Sequence, residues 1–171
     1  MNAAVMFTNR ISQTLHEEHC ATVALMERLE QLLARYRRGG APPVSEPGLV
    51  RLLLDLSTGV EAEVQRHFDF EENRLFALLR ETGDEAIAAH LTDEHRVIRP
   101  LGAVVAKLAR EAAAQGFDEA TWSKFRRQAQ ELCQRLLAHV EKEEMALLPL
   151  LQDGMDADTE ARLLDEYLER I

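Results

Sequence analysis

Two stretches of this chain carry the same pair of chemically active side chains at the same spacing. His67 is followed by Glu71 and Glu72, and His139 by Glu143 and Glu144, four and five residues on in each case. On a helix, four residues make about one turn and rise roughly 6 Å, so each histidine shares a face with the acid four positions on. An imidazole that holds one cation then stands beside a carboxylate that reaches toward a second. The spacing suits a pair of metal ions inside a helical bundle, with Glu71 and Glu143 as the bridging groups.

The correspondence runs past these residues. Leu75, Leu78 and Leu79 follow His67 at the offsets where Leu147, Leu150 and Leu151 follow His139. Upstream, Leu15-His16-Glu17-Glu18-His19 pairs with Leu91-Thr92-Asp93-Glu94-His95, and Leu25 with Leu101. The chain therefore reads as two copies of one helical hairpin, the first bearing His19 and His67 and the second His95 and His139.

The elements that must position these groups follow from the apolar periodicity. Over residues 8–38, Ile11, Leu15, Val23, Met26, Leu29 and Leu33 recur at helical spacing, and Gly39-Gly40 ends the run. Residues 39–48 hold three prolines and three glycines and form a connection. A second helix spans about 47–80 with Leu53, Leu56, Val60, Val64, His67 and Glu71 on one face. Asp84 is placed to cap a third over 85–115, in which Pro100 should bend the helix one turn beyond His95. Gly116 closes that helix, and Asp118 caps a fourth that runs to about 151, with Trp122, Phe125, Leu132, Leu136, His139 and Glu143 facing inward. A last amphipathic helix over about 158–170 puts Leu163, Leu164, Tyr167 and Leu168 on one side. It would complete the core, cover a bundle end or pair with a second subunit in a homodimer. No stretch shows strand alternation of useful length. The expected fold is all-α: an antiparallel up-down-up-down four-helix bundle (about 8–151) with an additional short C-terminal helix, forming one domain over 1–171. Alternating helix directions would bring the four histidines into one layer.

Bulk properties narrow the function. A net charge of -10 disfavours nucleic acid and anionic membrane as partners. No apolar run approaches the roughly 20 residues that cross a bilayer, and residues 1–11 lack a basic, then apolar, leader, so a cytoplasmic protein is expected. Cys20 and Cys133, without C-x-x-C spacing, suggest neither a disulfide scaffold nor a thiolate metal site.

Four imidazoles (His19, His67, His95, His139) and two carboxylates (Glu71, Glu143) make a nitrogen and oxygen donor set suited to iron, manganese or zinc, with iron foremost and no soft ligand to select copper(I). His16 shares the face of His19 and is a further candidate ligand; its alternatives are a surface role or one orienting another group. Glu144 is a further candidate too, although it and Glu72 fit solvent-facing or ligand-orienting positions. His90 points elsewhere on its helix. A ferritin-like site would place Glu three residues before a histidine. The residues there are Gln13, His16, Val64, Ile87, Thr92 and Leu136, none of them acidic.

Over about 15–151 the chain resembles the hemerythrin-like, or HHE cation-binding, family. The motifs that carry the resemblance are L-H-E-E-H ending at His19, H-F-D-F-E-E from His67, D-E-H ending at His95, and H-V-E-K-E-E from His139 with L-L-P-L-L shortly after. The resemblance implies a bundle enclosing two non-heme iron ions, oxo- or hydroxo-bridged, for which zinc or manganese could substitute. It implies His19, His67, His95 and His139 as terminal ligands and Glu71 and Glu143 as bridges. The chain departs from oxygen-carrying members in two ways. Leu91 and Arg99 stand where a second histidine would lie four residues from His95, and an acid, Glu143, stands at i+4 beside the i+5 Glu144. The more even pattern is similar to bacterial members that repair iron centres.

These readings lead to a protein that binds a small molecule such as dioxygen or nitric oxide, or holds iron, without catalysing a reaction, since no nucleophile or general acid stands out beyond the metal candidates. The alternative is a redox enzyme or repair protein acting on nitric oxide, peroxide or damaged iron-sulfur clusters. A third reading, an interaction module, rests on the acidic surface and the last helix alone.

Overall fold

A computed structural model describes residues 7–169. Residues 1–6, and Arg170 at the expected end of the last helix, lie outside the described residues. Helix α1 is Arg10–Arg35, opened by Asn9, whose side chain accepts from the Ser12 backbone N–H. α2 is a continuous rod over 49–82. It begins as Leu49–Ala62, passes through wide turns at Glu63–His67 and Glu71–Leu75, and ends as Phe76–Thr82. α3 is Glu85–Gln115, uninterrupted at Pro100. α4 spans 119–154, with Glu119–Lys142 followed by one wide turn at Glu143–Leu147 and a final Leu148–Gly154. α5 is Ala157–Leu168.

The ends follow local chemistry. Asp118 and Thr121 form a reciprocal capping box at the start of α4. Gly83 adopts φ 97°, the left-handed region that glycine tolerates, and lets Asp84 N–H reach back to the Leu79 carbonyl at 2.8 Å. Asp84 occupies the cap position of α3, but its carboxylate makes no cap hydrogen bond; it accepts instead from the Thr82 hydroxyl.

Each long helix packs on the next in sequence, and α4 closes on α1, giving the antiparallel four-helix bundle with one additional helix. The buried apolar residues fall into two clusters. One is built around Leu53, Phe125, Leu132 and Leu136 toward the end holding the 39–48 connection, and the other around Ile11, Leu15, Phe70, Phe76 and Leu147. The histidines lie between the two. α5 completes the second cluster with Leu163, Leu164 and Tyr167, whereas Leu168, at the edge of that stripe and in the last turn, is exposed. No helix among the described residues is long and apolar enough to cross a membrane.

Close approach of α2 and α3 depends on Gly102, where an added Cβ would lie 3.0 Å from a γ-methyl of both Val60 and Val64. These β-branched neighbours have little rotamer freedom on a helix. We expect Gly102→Leu to overpack this seam and cost about 1–3 kcal/mol in urea denaturation. An unchanged midpoint would contradict the close packing.

Candidate metal centre

All six inward groups of the layer, His19, His67, Glu71, His95, His139 and Glu143, are buried. His67 and Glu71, one turn apart on α2, place Nε2 and Oε1 3.0 Å from each other, and His139 and Glu143 on α4 do the same at 2.9 Å. The second oxygen of each carboxylate turns to the opposite hairpin: Glu71 Oε2 is 3.4 Å from His95 Nε2, and Glu143 Oε2 is 3.1 Å from His19 Nε2. The Nε2 atoms pair as well, His19 with His67 at 3.2 Å and His95 with His139 at 3.0 Å. Two groups result, His19, His67, Glu71 and Glu143, and Glu71, His95, His139 and Glu143, each with donor atoms within 4.8 Å of one another. They are poised to chelate a pair of metal ions, with both carboxylates common to the two.

The outer nitrogens explain why every ring points its Nε2 inward. His67 Nδ1 lies 2.9 Å from Glu18, His95 Nδ1 2.8 Å from Glu72, His139 Nδ1 2.9 Å from Glu94, and His19 Nδ1 2.6 Å from Glu144. Each helix thus supplies a carboxylate to the histidine of the next, from α1 round to α4 and back to α1. A ring that donates from Nδ1 to a carboxylate keeps the Nε2 lone pair for a cation. Glu18 and Glu94 were not singled out in the sequence, although the duplicated Glu-His dipeptides, Glu18-His19 and Glu94-His95, carried the signal. The register between helices that gives them their targets is absent from any one-helix pattern.

His16 lies outside both groups. Its Nδ1 is 2.8 Å from Glu144 Oε2, so it shares that carboxylate with His19. Glu144 and Glu72 likewise sit at the rim of the layer, and His90 is exposed, 3.3 Å from Glu94. The layer is walled by rings and aliphatic chains. Phe68 stacks on His95 at 3.7 Å between centroids, Phe76 lies 5.5 Å from the same ring, and Leu75 and Leu147 are fully buried.

The wide turns at Glu63–His67, Glu71–Leu75 and Glu143–Leu147 carry hydrogen bonds to the fifth preceding carbonyl, as Phe68 N–H to Glu63, Phe76 N–H to Glu71 and Leu148 N–H to Glu143. Such turns gather at functional sites. A carbonyl within the first of them, that of Val64, is taken up by the Arg99 guanidinium, which also pairs with Glu72.

The electrostatics fit cations. Among the described residues, Glu71 Oε2 and both Glu143 oxygens are buried without a hydrogen-bond partner. Such groups are costly unless something charged meets them. Burial opposes a charged ring, yet Glu143 and Glu144 outweigh it and push His19 up to about 9. Against the same opposition, Glu143 and Glu71 bring His95 to about 9. Burial also works against His67, but Glu71, Glu63 and Glu18 hold it well above the usual imidazole range. Glu143 is held well below the carboxylate range, the opposition of burial being overcome by His139, His19 and His95. A cation arriving at these nitrogens would compete with protons for them.

Residues 10–151 match the family model described as the hemerythrin HHE cation binding domain. No curated relative matches the chain.

The raised imidazole values fix the pH response of the metal-free protein. A group raised in the folded state contributes stability that is complete below its unfolded value, about 6.5, and is lost as pH rises through its folded value. We expect the urea midpoint in excess chelator to fall as pH climbs from about 6.5 past about 9, the value reached by His19 and His95. A midpoint that stays level or rises over that window would refute the assignment.

Proposed function

Since the chain belongs to the hemerythrin HHE cation-binding domain family, we propose that it holds two iron ions in this layer and binds a small molecule such as dioxygen or nitric oxide there without turnover. His19 and His67 would hold one ion, His95 and His139 the other, and Glu71 and Glu143 would be shared. The observation that carries the reading is that each of these two carboxylates directs one oxygen to each hairpin's imidazoles. Nitrogen and oxygen donors without thiolate suit iron, with zinc or manganese as substitutes.

When bound, an iron pair supplies redox-active centres with positions open to outside molecules, because each group offers only four protein donors. The chain's own residues do the rest. Glu18, Glu72, Glu94 and Glu144 orient the rings before any cation arrives, which reduces the ordering that binding must impose. Phe68, Phe76, Leu75 and Leu147 keep bulk water from the layer and limit what enters to small molecules. The family's description names cation binding, which together with the two buried His/Glu groups supports a binding role.

Elemental analysis of protein produced with ample iron should find two ions per chain, one per group, and the His139→Ala, Glu143→Ala double variant should lose most of that iron. Exposing the reduced, iron-loaded protein to dioxygen or nitric oxide should produce a new visible absorption band. Equal iron in both proteins, or a spectrum indifferent to both gases, would overturn the reading.

A further inference from the structure

The last helix lies beyond the residues that match the family, yet it reaches one of the imidazoles. Tyr167 is fully buried, with its ring 4.5 Å from that of Phe70. Its hydroxyl donates to Glu18 Oε2, the oxygen that stands 2.9 Å from His67 Nδ1. Arg66 locks the arrangement: its guanidinium is 2.7 Å from Glu18 Oε1 and lies over the Tyr167 ring, 5.7 Å from the centroid. α5 is itself fastened by the Asp156 cap on Thr159 and by Arg74 to Glu166 at 2.7 Å. Burial pushes the Tyr167 hydroxyl well above the usual phenol range, so it remains a donor.

The equivalent carboxylate of the second hairpin is held differently. Glu94 Oε2 is 2.9 Å from His139 Nδ1, and its other oxygen accepts from Lys142 Nζ at 2.5 Å and faces the exposed His90. Lys142 reaches in from the surface with 43% of its side chain exposed. A flexible ammonium on a long stem restrains a carboxylate less than a packed ring with a fixed hydroxyl.

We propose that Tyr167 is a positioning residue that fixes His67 through Glu18, and that it thereby sets the cation position at His19 and His67 apart from the other. The inference rests on the reading of the two groups as cation sites. The six inward donors repeat between hairpins, but their surroundings do not: Phe68 and Phe76 stack on His95, while Tyr167 and Arg66 hold the carboxylate behind His67. Removing such an outer partner typically weakens metal binding about 10- to 100-fold.

The test titrates metal-free wild type and Tyr167→Phe with iron(II) under anaerobic conditions, and in parallel with cobalt(II) followed by visible absorption. Wild type should take up two ions per chain, one per group. The phenylalanine keeps the ring on Phe70, and this variant should bind one ion as wild type does and the other about 10-fold or more weakly, with the cobalt(II) band of that ion shifted. Lys142→Met should weaken the opposite ion. Glu18→Gln cuts the same link without touching α5, and should reproduce the one-ion loss even if Tyr167→Phe does not fold. Wild-type affinities and spectrum in Tyr167→Phe, or an equal loss at both ions, would overturn the role of Tyr167 alone. Wild type that takes up neither metal would overturn the cation-site reading and this inference with it.

Discussion

The structure depends on satisfying a layer of ionisable groups inside an apolar bundle. Four imidazoles and two carboxylates are buried between two hydrophobic clusters, where unpaired charge is expensive. The solution is a closed circuit. Every ring gives its outer nitrogen to a rim carboxylate on the preceding helix, and those carboxylates, between 22% and 30% exposed, keep contact with water. Because each link joins different helices, no helix can slide or rotate without breaking two of them. The circuit therefore sets the register of the bundle as well as the tautomer of each ring.

The same constraint accounts for the wide turns. In a regular helix each four-residue step overshoots a full turn by about 40°, so His67, Glu71 and Leu75 would drift progressively off the inner face. Adding a residue to the turn reduces that drift. All three are fully buried, as are His139, Glu143 and Leu147. The turns occur on α2 and α4, the helices that must present both a histidine and a shared carboxylate, while α1 and α3, with one inward histidine each, are free of them. Arg99 meets the carbonyl of Val64 and joins the first wide turn to Glu72, which holds His95.

What could be read from the sequence was whatever repeats along one helix. The His-x3-Glu spacing, the matched leucines and the glycine and aspartate punctuation gave four rods, their ends to within a few residues, and the six inward groups. What could not be read lies between helices. Glu18 holds a ring on α2 rather than acting near its neighbour His19, and only the packed register reveals that. The wide turns leave no mark on apolar spacing. Asp84 has the residue type of a cap, but Thr82 claims its carboxylate. Leu168 follows the helical pattern of α5 but falls past the edge of the surface that α5 covers.

Duplication explains the inner shell and not the outer one. The shorter contacts of Glu71 and Glu143 with the four rings come in matched pairs, 3.0 and 2.9 Å within a helix and 3.4 and 3.1 Å between hairpins. The rim breaks that relation, with Arg66 and Tyr167 around Glu18 and with Lys142 and His90 around Glu94. Matched donor sets alone would not distinguish two cations held there. Were cations bound, differences in how firmly the outer carboxylates are held would reach them through ring orientation and basicity. On the proposed reading, a chain that repeats one hairpin would acquire two distinct positions through residues outside the ligand set. The added fifth helix, which has no counterpart in the first hairpin, supplies one of those changes.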